Sequence, residues 1–236
     1  MHCRIADVIV EVPAAGDLVS RCRDYLYSGP EQPEIVLDGE NIRYELYDPR
    51  LKQADVIYLE TGWQFGAGLL SHGGFYLHAS AVEVEGKAYL FSANCGVGKS
   101  THARLWQQLH GSKAQVINDD KPALRCLDGV WYAYGTPWCG KDGINQNKKI
   151  PLAGICFLRQ ASENKIRQLA PVEGFQRIIS QTKWKFNFSQ NLDLMLKNSE
   201  KLALEIPVFE LENRPEPEAA LLSYETMRRK AEEIGL

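Results

Sequence analysis

The stretch that decides the fold is Phe91-Ser92-Ala93-Asn94-Cys95-Gly96-Val97-Gly98-Lys99-Ser100-Thr101. An apolar segment at residues 88–91 leads into the glycines, and a helical pattern at residues 102–109 follows. A strand, a glycine-rich turn and a helix that begins with Gly-Lys-Ser form the local structure of a phosphate-binding P-loop. The alternative is a chance Gly-Lys-Ser in a surface turn, which would not need the flanking strand and helix.

Each residue type in this turn suits phosphate binding. Gly96 and Gly98 lack a Cβ atom, so the backbone can turn its N–H groups toward a polyphosphate. Lys99 would reach the terminal phosphates, and the hydroxyl of Ser100 would ligate Mg²⁺. Ala93 occupies the position of the motif's first glycine, where a methyl group fits if the local φ is negative. We therefore predict a site for ATP and Mg²⁺ whose nucleotide-binding residues are Asn94, Cys95, Gly96, Val97, Gly98, Lys99, Ser100 and Thr101.

The bulk composition is that of an ordinary globular protein. A chain of 236 residues with 44% hydrophobic residues can bury the core of one α/β domain with a small appendage. The net charge of −3 argues against a nucleic-acid partner that is bound through bulk electrostatics. The sequence shows no signal peptide and no apolar run of membrane-spanning length, so we expect a cytoplasmic protein without a membrane partner.

Residues 1–74 are predicted to form a small N-terminal α+β extension, and residues 75–236 the P-loop core. The elements expected in the extension are a strand at residues 4–12, a helix at 17–27, strands at 42–46 and 56–59, and a helix at 63–70. No chemical motif lies in the extension, so we expect it to cover or extend the core sheet.

The core is predicted to be an α/β fold with a mixed sheet. Alternating residues and turn signals predict two hairpins, one around Glu85-Gly86-Lys87 and one around Leu127-Asp128-Gly129. The other expected elements are strands at residues 115–118, 150–158 and 206–211, an ordered loop at 135–146, a helical region at 172–199 and a last helix at 216–234.

Two adjacent carboxylates, Asp119 and Asp120, follow Asn118 at the end of a predicted strand. One of them can hold Mg²⁺ directly or through water, and the other can accept a proton from an attacking hydroxyl. The residues alone leave open which aspartate does which. The alternative is a solvated Asn-Asp turn, which the P-loop helix and the strand before it disfavour.

Two further side chains are candidates for catalysis. His78 lies in the strand that should neighbour the P-loop strand, which would place its imidazole near the γ-phosphate; a satisfied core histidine is the alternative. Lys141, in the loop Thr136–Asn145, could neutralise charge in the transition state, and Trp138 of the same loop could wall the pocket. A surface loop held by Trp138 is the alternative there.

Four motifs together resemble a known family. In chain order they are residues 78–82 (His-Ala-Ser-Ala-Val), 98–106 (Gly-Lys-Ser-Thr-His-Ala-Arg-Leu-Trp), 118–124 (Asn-Asp-Asp-Lys-Pro-Ala-Leu) and 135–142 (Gly-Thr-Pro-Trp-Cys-Gly-Lys-Asp). They are similar to the catalytic core of HPr kinase/phosphorylase, a P-loop fold related to the ATP-type phosphoenolpyruvate carboxykinases. They resemble more closely the small HPr kinase-like proteins, some of which accompany ribosomal peptide gene clusters and phosphorylate a serine of a precursor peptide. The resemblance covers roughly residues 75–235.

The resemblance implies an ATP- and Mg²⁺-dependent kinase with an HPr kinase-like core. Its phosphate acceptor would be a hydroxyl group, namely that of a serine on a peptide or small protein. The family is also compatible with a homo-oligomer. By the resemblance, His78 and Asp120 act on the nucleophile, whereas Asp119 and Ser100 surround the metal ion.

Two other functions stay open at this point. One is a small-molecule kinase or a carboxykinase-like phosphotransferase, which a screen of phosphate acceptors separates from a peptide kinase. The other is a non-catalytic, nucleotide-binding regulatory subunit, because a P-loop specifies phosphate binding more strongly than it specifies chemistry.

Overall fold

The computed structural model of the protein describes residues 1–182 and 191–236 and shows an α/β fold built on a mixed sheet. The strands are β1 His2–Ile5, β2 Val8–Glu11, β3 Ile35–Val36, β4 Gly74–Tyr76, β5 Ala79–Val84, β6 Lys87–Ser92, β7 Ala114–Asp120, β8 Ala123–Leu127, β9 Val130–Tyr134, β10 Lys149–Gln160, β11 Lys165–Gln168 and β12 Val208–Asn213. The helices are α1 Leu18–Arg21, α2 Gln53–Leu69, α3 Lys99–His110, α4 Pro171–Gln181, α5 Leu192–Glu205 and α6 Pro217–Glu233. None of the helices in these described ranges has the length and apolar character that a membrane crossing requires.

The long strand β10 links two parts of the main sheet. Residues Lys149–Pro151 pair with β9, which continues through β8 to β4. Beyond them β10 runs parallel to β6 on one side and to β12 on the other. Strand β5 pairs antiparallel with β6 and with β7, and β11 pairs antiparallel with β12. Since one strand takes part in both pairings, the sheet is continuous and curls around its buried side chains.

Three two-residue turns with positive φ angles make the hairpins. They are Ala6-Asp7 between β1 and β2, Glu85-Gly86 between β5 and β6, and Asp128-Gly129 between β8 and β9. Such turns match the right-handed twist of paired strands. The two hairpins predicted in the core are confirmed. The single strand predicted at residues 4–12 is wrong, because the chain reverses at Ala6-Asp7.

Other predictions for the extension also need correction. The segment predicted as a strand at residues 56–59 lies inside α2, whose buried residues recur at helical spacing beyond that short apolar run. The alternation at residues 42–46 belongs to a 3₁₀ turn at Tyr44–Leu46, where the side chains stay exposed or half-buried and meet no partner strand. The helix predicted at 17–27 is only the short α1, followed by a 3₁₀ turn at Arg23–Tyr25.

In the core, the predicted strands and the last helix are confirmed, whereas β11 is an additional strand. The predicted helical region at 172–199 contains α4 and α5, and residues 183–190 between them lie outside the described part of the chain.

Helices cover the two faces of the main sheet. Helices α3 and α6 pack on one face around the buried Trp106, and α4 and α5 pack on the other around Ile178 and Leu202. A third cluster joins the β1–β2 hairpin and α2 to the β8–β9 hairpin. There the glycine at Gly62 allows close approach, because a Cβ atom would lie 2.9 Å from Trp138 Cδ1.

A buried histidine stabilises the contact between α3 and α6. His102 is 1% exposed, and its Nε2 lies 2.9 Å from Ser223 Oγ. The same hydroxyl accepts a hydrogen bond from Trp106 Nε1 and donates one to the Ala220 carbonyl. Burial lowers the pKa of His102 from 6.5 to about 4, so the imidazole is neutral at pH 7.

This histidine should make the stability of the protein depend on pH in acid. Between pH 6.5 and about 4 the unfolded chain binds a proton at His102 that the folded chain does not, so stability falls as the pH falls. From pH 7 to pH 5 we expect a loss of about 2 kcal/mol from this residue. Urea unfolding should show that His102→Gln has a flatter pH dependence than the wild type, with the exposed His2→Gln as control. Equal slopes for wild type and His102→Gln would contradict the assignment.

Candidate functional site

The candidate site is created by the position of β5 between β6 and β7. Ala79 lies opposite Ser92 of β6 and, on the other side, opposite Asp120 of β7. The next residue, Ser80, lies opposite Asp119. The start of β5 is therefore adjacent to the ends of both neighbours, and the predicted proximity of the two strands is confirmed. The prediction that His78 lies within the strand is wrong, because β5 begins at Ala79 and His78 lies in the bend just before it. Pairing alone brings the start of β5 and the ends of β6 and β7 to one edge of the sheet.

The glycine-rich loop, residues 93–98, connects β6 to α3 at that edge. Gly96 has a φ of 81° and Gly98 a φ of 118°, conformations that residues with a Cβ atom rarely adopt. Ala93 is buried and its φ is not positive, so alanine is compatible with this position. The ammonium of Lys99 donates a hydrogen bond to the Ala93 carbonyl at 3.2 Å, which holds the lysine across the loop.

Helix α3 begins at Lys99 directly after this loop. The first turn of a helix presents backbone N–H groups that have no partner within the helix, and the helix dipole makes that end positive. Because the first turn of α3 contains Lys99, Ser100 and Thr101, two features that favour an anion meet at one point: a lysine ammonium and a helix N-terminus.

Asp119 connects the loop to β5. Its Oδ1 accepts hydrogen bonds from Ser80 Oγ and from Ser100 Oγ, the latter at 3.0 Å. A carboxylate and a serine hydroxyl at hydrogen-bond distance are the kind of oxygen pair that holds Mg²⁺ beside a nucleotide. Across the described ranges no cluster of three or more His, Cys, Asp or Glu side chains forms a metal cage.

Asp120 lies between two cationic or protonatable groups. Its Oδ1 is 3.4 Å from His78 Nε2, and its Oδ2 is 2.5 Å from Lys121 Nζ. On the other side of the imidazole, His78 Nδ1 is 3.3 Å from Gln181 Oε1. The Gln181 amide in turn donates to Asn94 Oδ1 at 2.9 Å, which fixes its orientation. Because an amide oxygen only accepts hydrogen bonds, His78 Nδ1 is the donor to Gln181, and Nε2 faces Asp120.

The backbone at Asp120 departs from a regular strand. Its φ is 146°, a region that L-residues rarely adopt. In a regular strand neighbouring side chains point to opposite faces, yet Asp119 contacts Ser80 and Asp120 contacts His78, which are two residues apart. The unusual φ breaks the alternation, and both carboxylates can then face the same cleft.

The loop after β9 covers these aspartates and is held by the N-terminal extension. A Cβ atom at Gly140 would lie 2.9 Å from the Asp119 carbonyl oxygen, so only glycine permits this approach. Arg21 Nη1 donates to the Gly140 carbonyl at 2.7 Å and to Tyr58 Oη at 3.0 Å, and the Gly140 N–H donates to Tyr58 Oη at 3.2 Å. Burial raises the pKa of Tyr58 well above its usual value, so the phenol is neutral.

The expectation that Trp138 walls the pocket is wrong. Trp138 is 1% exposed, stacks on Phe65 with ring centroids 4.8 Å apart, and points its indole N–H at Thr61 Oγ1. It anchors the loop to α2 instead. Lys141 lies three residues after this anchor, is exposed and lines the rim of the cleft.

The cleft between the glycine-rich loop and the aspartates has a volume of about 520 Å³. Its lining brings together most of the predicted site residues: His78, Cys95, Gly96, Gly98, Lys99, Ser100, Thr101, Asp119, Asp120 and Lys141. The remaining two, Asn94 and Val97, line an adjoining cleft of about 330 Å³ beside α4 and the end of β10.

Several residues of the site were not assigned a role from the sequence. Ser80 and Lys121 lie within two residues of the predicted His78 and Asp120. No local signal indicates Arg21, Tyr58 or Gln181, because each reaches the site through tertiary packing alone.

Comparisons with known proteins add a distant structural likeness. Neither a protein-family model nor a curated protein matches the sequence of the chain. Among solved structures, the Hpr(Ser) kinase/phosphatase from Coxiella burnetii is similar, with a TM-score of 0.39 and 14% sequence identity over 65% of this chain and 88% of that chain.

Proposed function

We propose that the protein is an ATP- and Mg²⁺-dependent kinase that transfers the γ-phosphoryl group to a hydroxyl, specifically a serine of a peptide or small protein. One observation carries the proposal: the glycine-rich loop with Lys99 and Ser100 lines the same cleft as His78, Asp119 and Asp120. Phosphoryl transfer requires a phosphate cradle, oxygen ligands for a metal ion and a group that takes the proton of the nucleophile. The cleft offers candidates for all three.

The loop and the start of α3 would bind the triphosphate. Backbone N–H groups at Gly96 and Gly98 and the dipole of α3 favour the phosphate oxygens, and Lys99 neutralises the terminal ones. Ser100 and Asp119 would hold Mg²⁺, with Ser80 orienting the Asp119 carboxylate. When bound, Mg²⁺ supplies positive charge that offsets the charge of the phosphate oxygens.

His78 and Asp120 would take up the proton of the acceptor. The hydroxyl oxygen forms a bond to the γ-phosphorus while the bond from that phosphorus to the β–γ bridging oxygen breaks, and ADP leaves with the electron pair. The hydroxyl proton passes to the Asp120 carboxylate, where His78 Nε2, 3.4 Å away, can share it. Lys121 stabilises the carboxylate before transfer, and Lys141 at the rim would face the transferring group.

The strained backbone at Asp120 supports a functional role for its side chain. A non-glycine residue at a φ of 146° costs on the order of 1–3 kcal/mol. Glycine would adopt this conformation readily but would not supply a carboxylate. Such strain is usually found at functional sites, where the surrounding structure maintains it.

Lys99→Ala should abolish ATP turnover while the fold stays intact. Loss of the ammonium that neutralises the terminal phosphates should lower the rate by about a hundredfold or more. An ATP-consumption assay measures the rate, and circular dichroism checks the fold. Lys113→Ala is the matched control, because Lys113 lies in the turn after the same helix and is exposed. Turnover near the wild-type rate in Lys99→Ala would contradict the proposal.

Asp120→Asn should abolish acceptor-dependent transfer. An amide has nearly the same shape as the carboxylate but cannot take up the hydroxyl proton, so we expect a loss of about a hundredfold to ten-thousandfold. The measurement is transfer of labelled γ-phosphate to a panel of serine-containing peptides, with nucleotide affinity titrated separately. Asp128→Asn, in the turn between β8 and β9, is the control. Transfer to a peptide at the wild-type rate by Asp120→Asn would exclude the assigned proton acceptor, and ATP binding without transfer by the wild type would point to a regulatory subunit.

A further inference from the structure

A second cleft, of about 430 Å³, adjoins the candidate site at Asp120, Gly140 and Lys141, which line both. Its other wall belongs to the N-terminal extension. The residues of that wall are Asp17, Arg21, Lys52, Ala54, Asp55, Tyr58 and Leu59, and Lys121 completes the lining. The extension therefore supplies more than a cover for the sheet, because it encloses a space that opens onto Asp120.

The lining of this second cleft contains hydrogen-bond donors that remain available to a ligand, since the described residues do not accept all of their hydrogens. Tyr58 Oη accepts from Arg21 and from the Gly140 N–H, which leaves the phenol hydrogen for an oxygen of a ligand. In the described ranges, 1–182 and 191–236, neither Lys52 nor Lys141 forms an ion pair, and both side chains are exposed. Each is thus available to an anion.

The carboxylates of this cleft are already engaged. Asp17 lies 3.8 Å from Arg21 Nη2, and the Asp55 carboxylate accepts the Lys52 backbone N–H at 3.2 Å, as a helix cap. Asp120 has Lys121 and His78 as partners. Four cationic side chains then line the cleft with three carboxylates, and the two lysines that form no ion pair within residues 1–182 and 191–236 determine which ligand it favours.

We propose that this second cleft binds the phosphate acceptor and that it selects a hydroxyl with a carboxylate close by. This inference rests on the kinase function proposed above. A reacting hydroxyl has to contact Asp120, and this cleft reaches it. The adjoining cleft of about 330 Å³ meets the glycine-rich loop at Asn94 and Val97, away from Asp120, and suits the nucleoside end of ATP. Lys52 and the Tyr58 hydroxyl would bind the carboxylate, whether it belongs to a neighbouring acidic residue of a peptide or to free serine, and Lys141, which lines both clefts, would add positive charge between this carboxylate and the transferring group.

The test compares acceptors that differ only in one charge. Serine peptides are synthesised in pairs with Glu or Gln at each position next to the serine, and L-serine is compared with L-serinamide. For the wild type we expect kcat/KM to be about tenfold higher for the carboxylate member of a pair, mainly through KM. In Lys52→Glu the preference should fall to about one. As a control, Lys197→Glu changes an exposed lysine of α5 that does not line the cleft, and it should keep the full preference.

The outcomes separate this inference from the kinase function. Transfer with equal rates within every pair, unchanged by Lys52→Glu, would overturn the acceptor site and leave the kinase intact. A preference seen only with free serine would support the cleft and overturn the peptide as acceptor. Binding of ATP without transfer to any acceptor would overturn the kinase function, and the acceptor site with it.

Discussion

The antiparallel pairing of β5 with both β6 and β7 is the constraint on which the rest of the site depends. It fixes Ser80 opposite Asp119. The Asp119 carboxylate then accepts a hydrogen bond from the hydroxyl of Ser100 in the first turn of α3. Each of these groups loses hydrogen bonds to water where it is shielded from solvent. A hydrogen bond to a partner on a neighbouring element replaces them. A shift of one residue in the register would turn Asp119 to the opposite face and separate the loop from its acidic partner.

The site has a positively charged end and a negatively charged end. The helix N-terminus and Lys99 would favour the polyphosphate of the proposed substrate, whereas the two aspartates lie at the end where the proposed phosphoryl transfer would occur. Two adjacent carboxylates would repel one another in isolation. Here Asp119 is bound by hydroxyls and Asp120 by Lys121 and His78, so the two face different partners in a common cleft. The division of partners also supports the division of roles between metal ligand and proton acceptor.

Much of the core could be predicted from the sequence because its signals are local. The glycine-rich loop, the β5–β6 and β8–β9 hairpins and the last helix depend on turn chemistry and periodicity over short windows. The N-terminal extension could not be predicted in the same way. Its short apolar run at residues 56–59 suits a strand or a buried helix, and only the packing of α2 on Trp138 and Tyr76 decides between them. For the same reason Arg21 and Tyr58 carry no motif, since their positions at Gly140 come from tertiary contacts.

The curled sheet has a consequence for the order of folding. The proposed phosphate-binding end of the site comes from one continuous segment, residues 78–120, in which β5 and β6 close through a two-residue turn and β7 returns after a single helix. The proposed acceptor end needs contacts between residues more than a hundred positions apart, such as Arg21 with Gly140, and loop closure over such distances is slow. During refolding, the capacity to bind nucleotide should therefore appear before the capacity to hold an acceptor.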